Sequence, residues 1–291
     1  MADFKRLRKK YVGYLVGNGE GLYVSRTDEK TKKHIDTIEK NIADLPQLKT
    51  EKRKEAIEGL GYSASVHAVF EQIRDMSLSF SMKNSAYFQD EKLLSLMRNS
   101  LNRMLDFYSE NLAPYGNWWY WEIGVPLCIN TIVPLLFEKL SAACISEYMR
   151  AEAHYNSQIR RTGANRVWES VIFVLRGVVT SDAQAIREGV SGISDVMHYA
   201  QEGDGFYEDG SFIQHELFPY NGGYGRSLLQ ELAPVLYLIH QTEFDTLNTE
   251  IVYDWMDNAF FPFLTDGKCM GMVRGREISR YYEQCDYAGA M

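Results

Sequence analysis

Apolar residues recur at three- and four-residue intervals along almost the whole chain, the spacing that lines one face of an α-helix. Phe4, Leu7, Tyr11, Tyr14 and Leu15 mark a first amphipathic segment, closed by Gly17 and Gly19. The pattern predicts a second helix over 27–44, with Ile35, Ile38 and Ile42 on one face and charge on the other, ended by Pro46. A short charged helix follows over 50–58, then longer ones over 63–82 and 91–108. In the last of these, Leu94, Met97, Leu101, Met104, Leu105 and Tyr108 fall on one stripe. A loop over 112–121 precedes an almost unbroken apolar run over 123–140, which reads as a helix buried on most sides. Further helices are predicted over 141–155, 165–179, 182–200, 223–241 and 245–263, with Ser181 or Asp182 capping the 182–200 helix at its start and Pro234 a point of bending.

No segment alternates with period two. The expectation is therefore an all-α chain of about ten helices in antiparallel hairpins with short connections, forming one domain over 1–291. Periodicity alone does not choose between a bundle, a solenoid and an α/α toroid. No strict repeat supports a regular solenoid.

Composition narrows the function classes. Of the residues, 45% are apolar and 24% charged, as in a globular protein. A net charge of −8 argues against general nucleic-acid binding, which needs clustered Lys and Arg. An acidic sugar is still compatible with it if a local cleft is basic. No segment reaches transmembrane length, and the N-terminus lacks the apolar run of a signal peptide. Cys128, Cys144, Cys269 and Cys285 show no CxxC spacing, so buried reduced thiols are expected rather than a zinc or redox motif.

Four constellations could carry chemistry. Asn117-Trp118-Trp119-Tyr120-Trp121 places three tryptophans within four residues. They could plug the core, but on one short segment they cannot all point the same way, and an exposed one would be a platform for a sugar ring. Arg160-Arg161-Thr162-Gly163-Ala164-Asn165-Arg166 opens a helix, where it is either a solvated entry or an anion-facing amide at Asn165. Between Gly203 and Gly225 lies a loop rich in glycine and aromatics, GDGFYEDGSFIQHELFPYNGGYG, with His215 and Tyr224 nine residues apart. Asp204, Glu208 and Asp209 in this loop do not have the spacing of an EF-hand. Finally, Arg276 and Arg280, four residues apart, share a face if their segment is helical, a pairing suited to an anion.

The order of these four segments, NWWYWEIGVP, TGANRV, the 203–225 loop and RGREISR, resembles the catalytic α-domain of the polysaccharide lyase family of hyaluronate, chondroitin AC and xanthan lyases. The resemblance implies an incomplete α/α toroid. It also implies β-elimination at a uronic acid of an acidic polysaccharide, leaving an unsaturated sugar, with no metal or organic cofactor. Asn165 would neutralise the uronate carboxylate, and His215 or the Tyr224 phenolate would take the C5 proton. Tyr224 would protonate the departing O4, with Arg276 and Arg280 lowering its pKa. Trp118 and Trp119 would position the polymer, and Asn117 would contact sugar hydroxyls.

The sequence also departs from the family pattern. It stops eleven residues after Arg280, without the last toroid helices and β-sandwich domains that the resemblance implies. The stretch between Trp119 and Asn165 is short, and Ile159 stands where an aromatic is expected. An apolar edge left open in this way would be covered by a second copy or a partner chain. A domain that binds acidic glycan without cleaving it is the alternative reading of the same residues.

Overall fold

The computed structural model describes residues 2–17, 21–45, 61–265 and 268–279. Ten α-helices are found among them: α1 (Phe4–Val16), α2 (Gly21–Ala43), α3 (Gly61–Ser81), α4 (Glu91–Met104), α5 (Val125–Leu135), α6 (Ala142–Tyr155), α7 (Gly163–Thr180), α8 (Ala183–Ser194), α9 (Arg226–Ile239) and α10 (Glu250–Trp255). The all-α expectation holds, and the helix expected over 50–58 lies outside the described residues. The chain divides into two compact units, Phe4–Ser157 and a second made of Met1–Asp3 with Gln158–Met291.

In the first unit, α2 packs along α3, and α3 along α5. The α4 stripe works as the spacing predicts: Leu94, Met97, Leu101 and Met104 are buried, and Asp90 caps the helix by accepting from the N–H groups of Lys92 and Leu93 at 2.8 and 2.9 Å. The helix nevertheless stops at Met104, four residues early. The buried Tyr108 beyond it turns its hydroxyl onto the Trp121 carbonyl at 3.0 Å.

The long apolar run also breaks up. A π-helical turn, Tyr120–Gly124, leads into α5, which ends at Leu135 rather than Leu140. Pro134, inside it, has no N–H to return to the Asn130 carbonyl.

In the second unit α7 is the central helix, buried along nearly its whole length and packed against α8 and α9. Asp182 caps α8 by accepting from Gln184 and Ala185. The helix ends at Ser194, not Ala200, because other partners claim the backbone beyond. Arg166 donates to the Gly192 carbonyl at 3.2 Å, and the Ala200 N–H bonds to the Phe206 carbonyl at 2.7 Å.

That last bond leads into strands that the periodicity does not reveal. β1 (Gly205–Phe206), β2 (Phe212–Gln214) and β3 (Phe218–Pro219) form a small antiparallel sheet, with Phe206 opposite Phe212 and Gln214 opposite Phe218. At two or three residues each they are too short to show alternation.

The helix expected over 245–263 is only α10. A π-helical turn, Met256–Phe260, and a 3₁₀ turn, Phe261–Phe263, follow it. The Asn221 side chain takes the Ala259 carbonyl at 2.7 Å, removing an acceptor that a regular helix would use. β4 (Leu264–Thr265) pairs antiparallel with β5 (Lys268–Cys269), and the 3₁₀ turns Gly271–Val273 and Gly275–Ser279 follow.

Candidate active site

In the second unit the site is built from the N-terminus of α7, the small sheet, the π-helical turn Asn221–Gly225 that leads into α9, and the 3₁₀ turn Gly275–Ser279. His215 and Glu216 form the turn between β2 and β3 with φ of 56° and 67°. Two consecutive non-glycine residues in the left-handed region cost on the order of 1–3 kcal/mol each, so the surroundings must enforce them. Asp204 does part of this. One carboxylate oxygen accepts the Glu216 N–H at 2.8 Å, while the other accepts the Thr162 hydroxyl at 2.8 Å and the Gln214 amide.

The His215 ring meets the Tyr224 ring edge-on, centroids 5.1 Å apart at 89°. The Arg276 Nη2 approaches His215 Nε2 at 2.6 Å. A guanidinium only donates, so Nε2 is the acceptor here and the proton of the neutral ring sits on Nδ1. Burial first, then the Arg276 charge, lowers the His215 pKa from its ordinary value, with Asp204 acting in the opposite direction.

Tyr224 is the counterpart. Arg276 pulls its pKa down, as expected, but burial is the larger effect and the net shift is upward. The phenol is therefore protonated at neutral pH. Arg280 lies outside the described residues.

Asn165 is bracketed by contacts to both sides of this cluster. The N–H of Ala164, just before it, donates to the Gln214 Oε1 at 3.0 Å. The Trp168 ring, one turn after it, packs on Tyr224 with centroids 5.6 Å apart. Asn165 itself is 8% exposed, and its Oδ1 makes no hydrogen bond among the described residues, so packing does not consume the amide oxygen.

The arginines ahead of it serve the loop. The N–H groups of Arg160 and Arg161 donate to Glu169 at 2.9 and 3.0 Å, and the Arg161 side chain pairs with the same carboxylate.

Tyr220 and Gln214 are the site residues that sequence reading passed over. Tyr220 is fully buried, with its ring edge-on to Tyr224 at 4.9 Å and 6.4 Å from His215. Gly275, at φ 50°, presses on it so closely that an added Cβ would lie 2.4 Å from the ring. The Tyr220 hydroxyl lacks a hydrogen bond of standard geometry, yet its proximity to Arg276 raises the basicity of that guanidinium. An NGGYG run directly after a tyrosine was the available signal, since glycines pack where a ring must approach backbone. Asp209, another acidic residue of the loop, bonds locally, accepting both the N–H and the hydroxyl of Ser211.

Asn117, Trp118 and Trp119 belong to the first unit. The three tryptophans part as expected. Trp121 is core, Trp119 is half-buried against His67 with ring centroids 5.7 Å apart, and Trp118 is 38% exposed. Asn117 braces the segment, its side-chain oxygen accepting the Trp119 N–H at 3.0 Å.

Known proteins share the sequence and the fold of this chain. The profile for polysaccharide lyase family 8, N-terminal alpha-helical domain, matches residues 18–291. A xanthan lyase of Bacillus sp. (strain GL1) is 38% identical over 236 residues, which are 79% of this chain and 25% of that protein. A hyaluronate lyase of Thermasporomyces composti is 38% identical over 180 residues, 60% of this chain and 23% of that protein. The X-ray structure of Streptomyces coelicolor A3 chondroitin AC lyase in complex with chondroitin sulphate matches with a TM-score of 0.86 and 25% identity, covering 99% of this chain and 42% of that one.

The chain thus spans about a quarter of the length of the curated relatives it matches. The expected class, a helical fold of the α/α-toroid kind, is borne out. On these grounds the chain belongs to polysaccharide lyase family 8, as its N-terminal α-helical domain.

Proposed function

We propose that this chain is the catalytic helical domain, a single domain over 1–291, of a lyase. It cleaves a uronic-acid-containing polymer such as hyaluronan or chondroitin by β-elimination, without a cofactor. The observation that carries the reading is the cluster of His215, Tyr224 and Arg276, in which one ring is held neutral and its neighbour protonated. Two titratable groups pushed in opposite directions are a base and an acid.

Asn165 hydrogen-bonds the uronate carboxylate as charge flows into it, which makes the C5 proton removable. His215 takes that proton. The C5–H electron pair becomes the C4=C5 double bond, the C4–O4 bond breaks, and Tyr224 gives its proton to O4. A phenolate beside an imidazolium results, and proton return between the adjacent rings restores both.

For His215 to act at Nε2, Arg276 must leave that lone pair. The substrate carboxylate is a better partner for a guanidinium than an imidazole nitrogen. Arg280 belongs to the same role through its place in the motif. Trp118 and Trp119 give the polymer an apolar face, and Asn117 meets sugar hydroxyls beside it.

The test is incubation with hyaluronan, chondroitin sulfates and xanthan, read by the ultraviolet absorbance of the unsaturated product. The expected result is product from at least one polymer, and a loss of at least about a hundredfold in kcat for Tyr224→Phe. Binding without product would instead identify a glycan-binding domain, and an undiminished Tyr224→Phe would remove the acid role.

A further inference from the structure

The left-handed turn at His215 and the N-terminus of α7 are held by the same two side chains. Gln214 is 1% exposed and directly precedes His215. Its Oε1 accepts the Ala164 N–H at 3.0 Å, and its amide nitrogen donates to Asp204. Asp204 in turn accepts the Glu216 N–H, on the far side of His215, and the Thr162 hydroxyl, ahead of α7. His215 is therefore flanked in sequence by two anchored residues, and both anchors lead to the segment that presents Asn165.

Gly163 shows how close the two parts are. At φ 53°, an added Cβ would lie 2.5 Å from Gln214 Oε1 and 3.0 Å from the Asp204 Cβ. Only a residue without a side chain lets the helix start approach this pair.

We infer that Asp204 and Gln214 are positioning residues, which fix the His215 turn against the start of the helix carrying Asn165 and thereby set the geometry of proton abstraction. Neither needs to touch substrate. The chemistry explains the choice of side chains. An ionised carboxylate has only acceptor sites, and here three donors converge on it: an N–H, a hydroxyl and an amide. Glutamine, with one acceptor and one donor end, can join Ala164 to that carboxylate. The bonds of Asp204 also offset the cost of the left-handed pair at 215–216, which would otherwise relax toward ordinary backbone. A turn so relaxed would carry His215 away from Tyr224 and Arg276. The groups that act on the imidazole are Asp204, Arg276 and the rings of Tyr220 and Tyr224.

The inference rests on the lyase reading for its catalytic consequence, but its geometric part is testable without substrate. In Asp204→Asn the new amide faces donors, so one of the two anchored sides is lost while the shape is kept. In Gln214→Met the volume is retained, the link to Ala164 is cut, and no charge changes. Steady-state kinetics on the cleaved polymer would accompany nitrogen NMR of the His215 imidazole in the ligand-free protein.

The expected result in both variants is a kcat lower by about a hundredfold, the scale of a small misplacement of reacting groups, with KM within about twofold of wild type. The fixed Nδ1–H tautomer of His215 is expected to give way to a mixture. Because Gln214→Met alters no charge, a change of tautomer there reports geometry. If Asp204→Asn does not fold, the glutamine variant carries the test. A folded Gln214→Met with wild-type kcat and wild-type tautomer would overturn the inference. Should the wild-type protein cleave no polymer, the lyase reading fails, and the tautomer measurement still decides whether the pair positions His215.

Discussion

At the scale of single residues, the site rests on opposite responses to burial. Desolvation disfavours the charged form of any group, so it lowers the pKa of His215 and raises that of Tyr224. Both shifts leave the groups uncharged at neutral pH, ready to accept and to donate a proton. A pH dependence follows. His215 must be neutral to act as a base, and its pKa lies below the ordinary histidine value. The acid limb of kcat/KM should therefore have its midpoint below about 6.5. A pH–rate profile, with the same group titrated by NMR in the free enzyme, checks this. A limb at or above the ordinary value would mean that another group is the base.

At the scale of elements, the helices are joined by buried polar seams as well as apolar stripes. Between α2 and α3, Asp75 is approached by His34 at 3.4 Å, Lys30 at 3.6 Å and Arg74 at 3.0 Å. Burial opposes its ionisation, but the His34 bond and the two cations outweigh it and bring its pKa down to about 2. Nearby, Thr31 donates to Ser79 at 2.8 Å, and Asp28 accepts from Ser79, Ser85 and the Ala86 N–H.

A carboxylate with a depressed pKa contributes stability that is present above its unfolded value, near 4, and is lost as pH falls through its folded value. The first unit should therefore weaken between about pH 4 and pH 2. Asp75→Asn should lower stability near neutral pH by about 2 kcal/mol, and flatten that acid dependence. Denaturant unfolding at several pH values measures both effects. An unchanged acid dependence in the variant would show that the seam contributes little.

The range of the polar contact at each helix end explains which ends the sequence pattern got right. Ends set by a local cap, such as Asp90 before α4 and Asp182 before α8, lie where the pattern puts them. Ends set by a distant partner do not. The stop of α8 depends on Arg166 and Phe206, and the widened turn after α10 depends on Asn221.

At the scale of the whole molecule, Cys128, Cys144 and Cys269 are reduced and buried, as their spacing predicts, while Cys285 lies outside the described residues. Burial raises the pKa of Cys144 and Cys269, which disfavours the reactive thiolate. These three thiols should be nearly inert to a disulfide reagent in the native protein and react on unfolding. Rapid native labelling at any of them would contradict the packing described.

The division between sequence and tertiary structure follows from the range of the interactions involved. Helical periodicity is local, so the all-α class and most helices could be read from the spacing of apolar residues. The motif order is linear too, so Asn165, His215, Tyr224 and Arg276 could be picked out before any contact was known. What the chain could not reveal by itself depends on groups far apart in sequence. The Arg276 guanidinium sits on a histidine 61 residues away. Asp204 reaches Thr162 across 42 residues, and Gln214 reaches Ala164 across 50. The direction of the Tyr224 pKa shift was likewise a tertiary outcome. The sequence supplies an arginine that would lower it, but only packing determines how much water is excluded, and here exclusion of water is the larger effect.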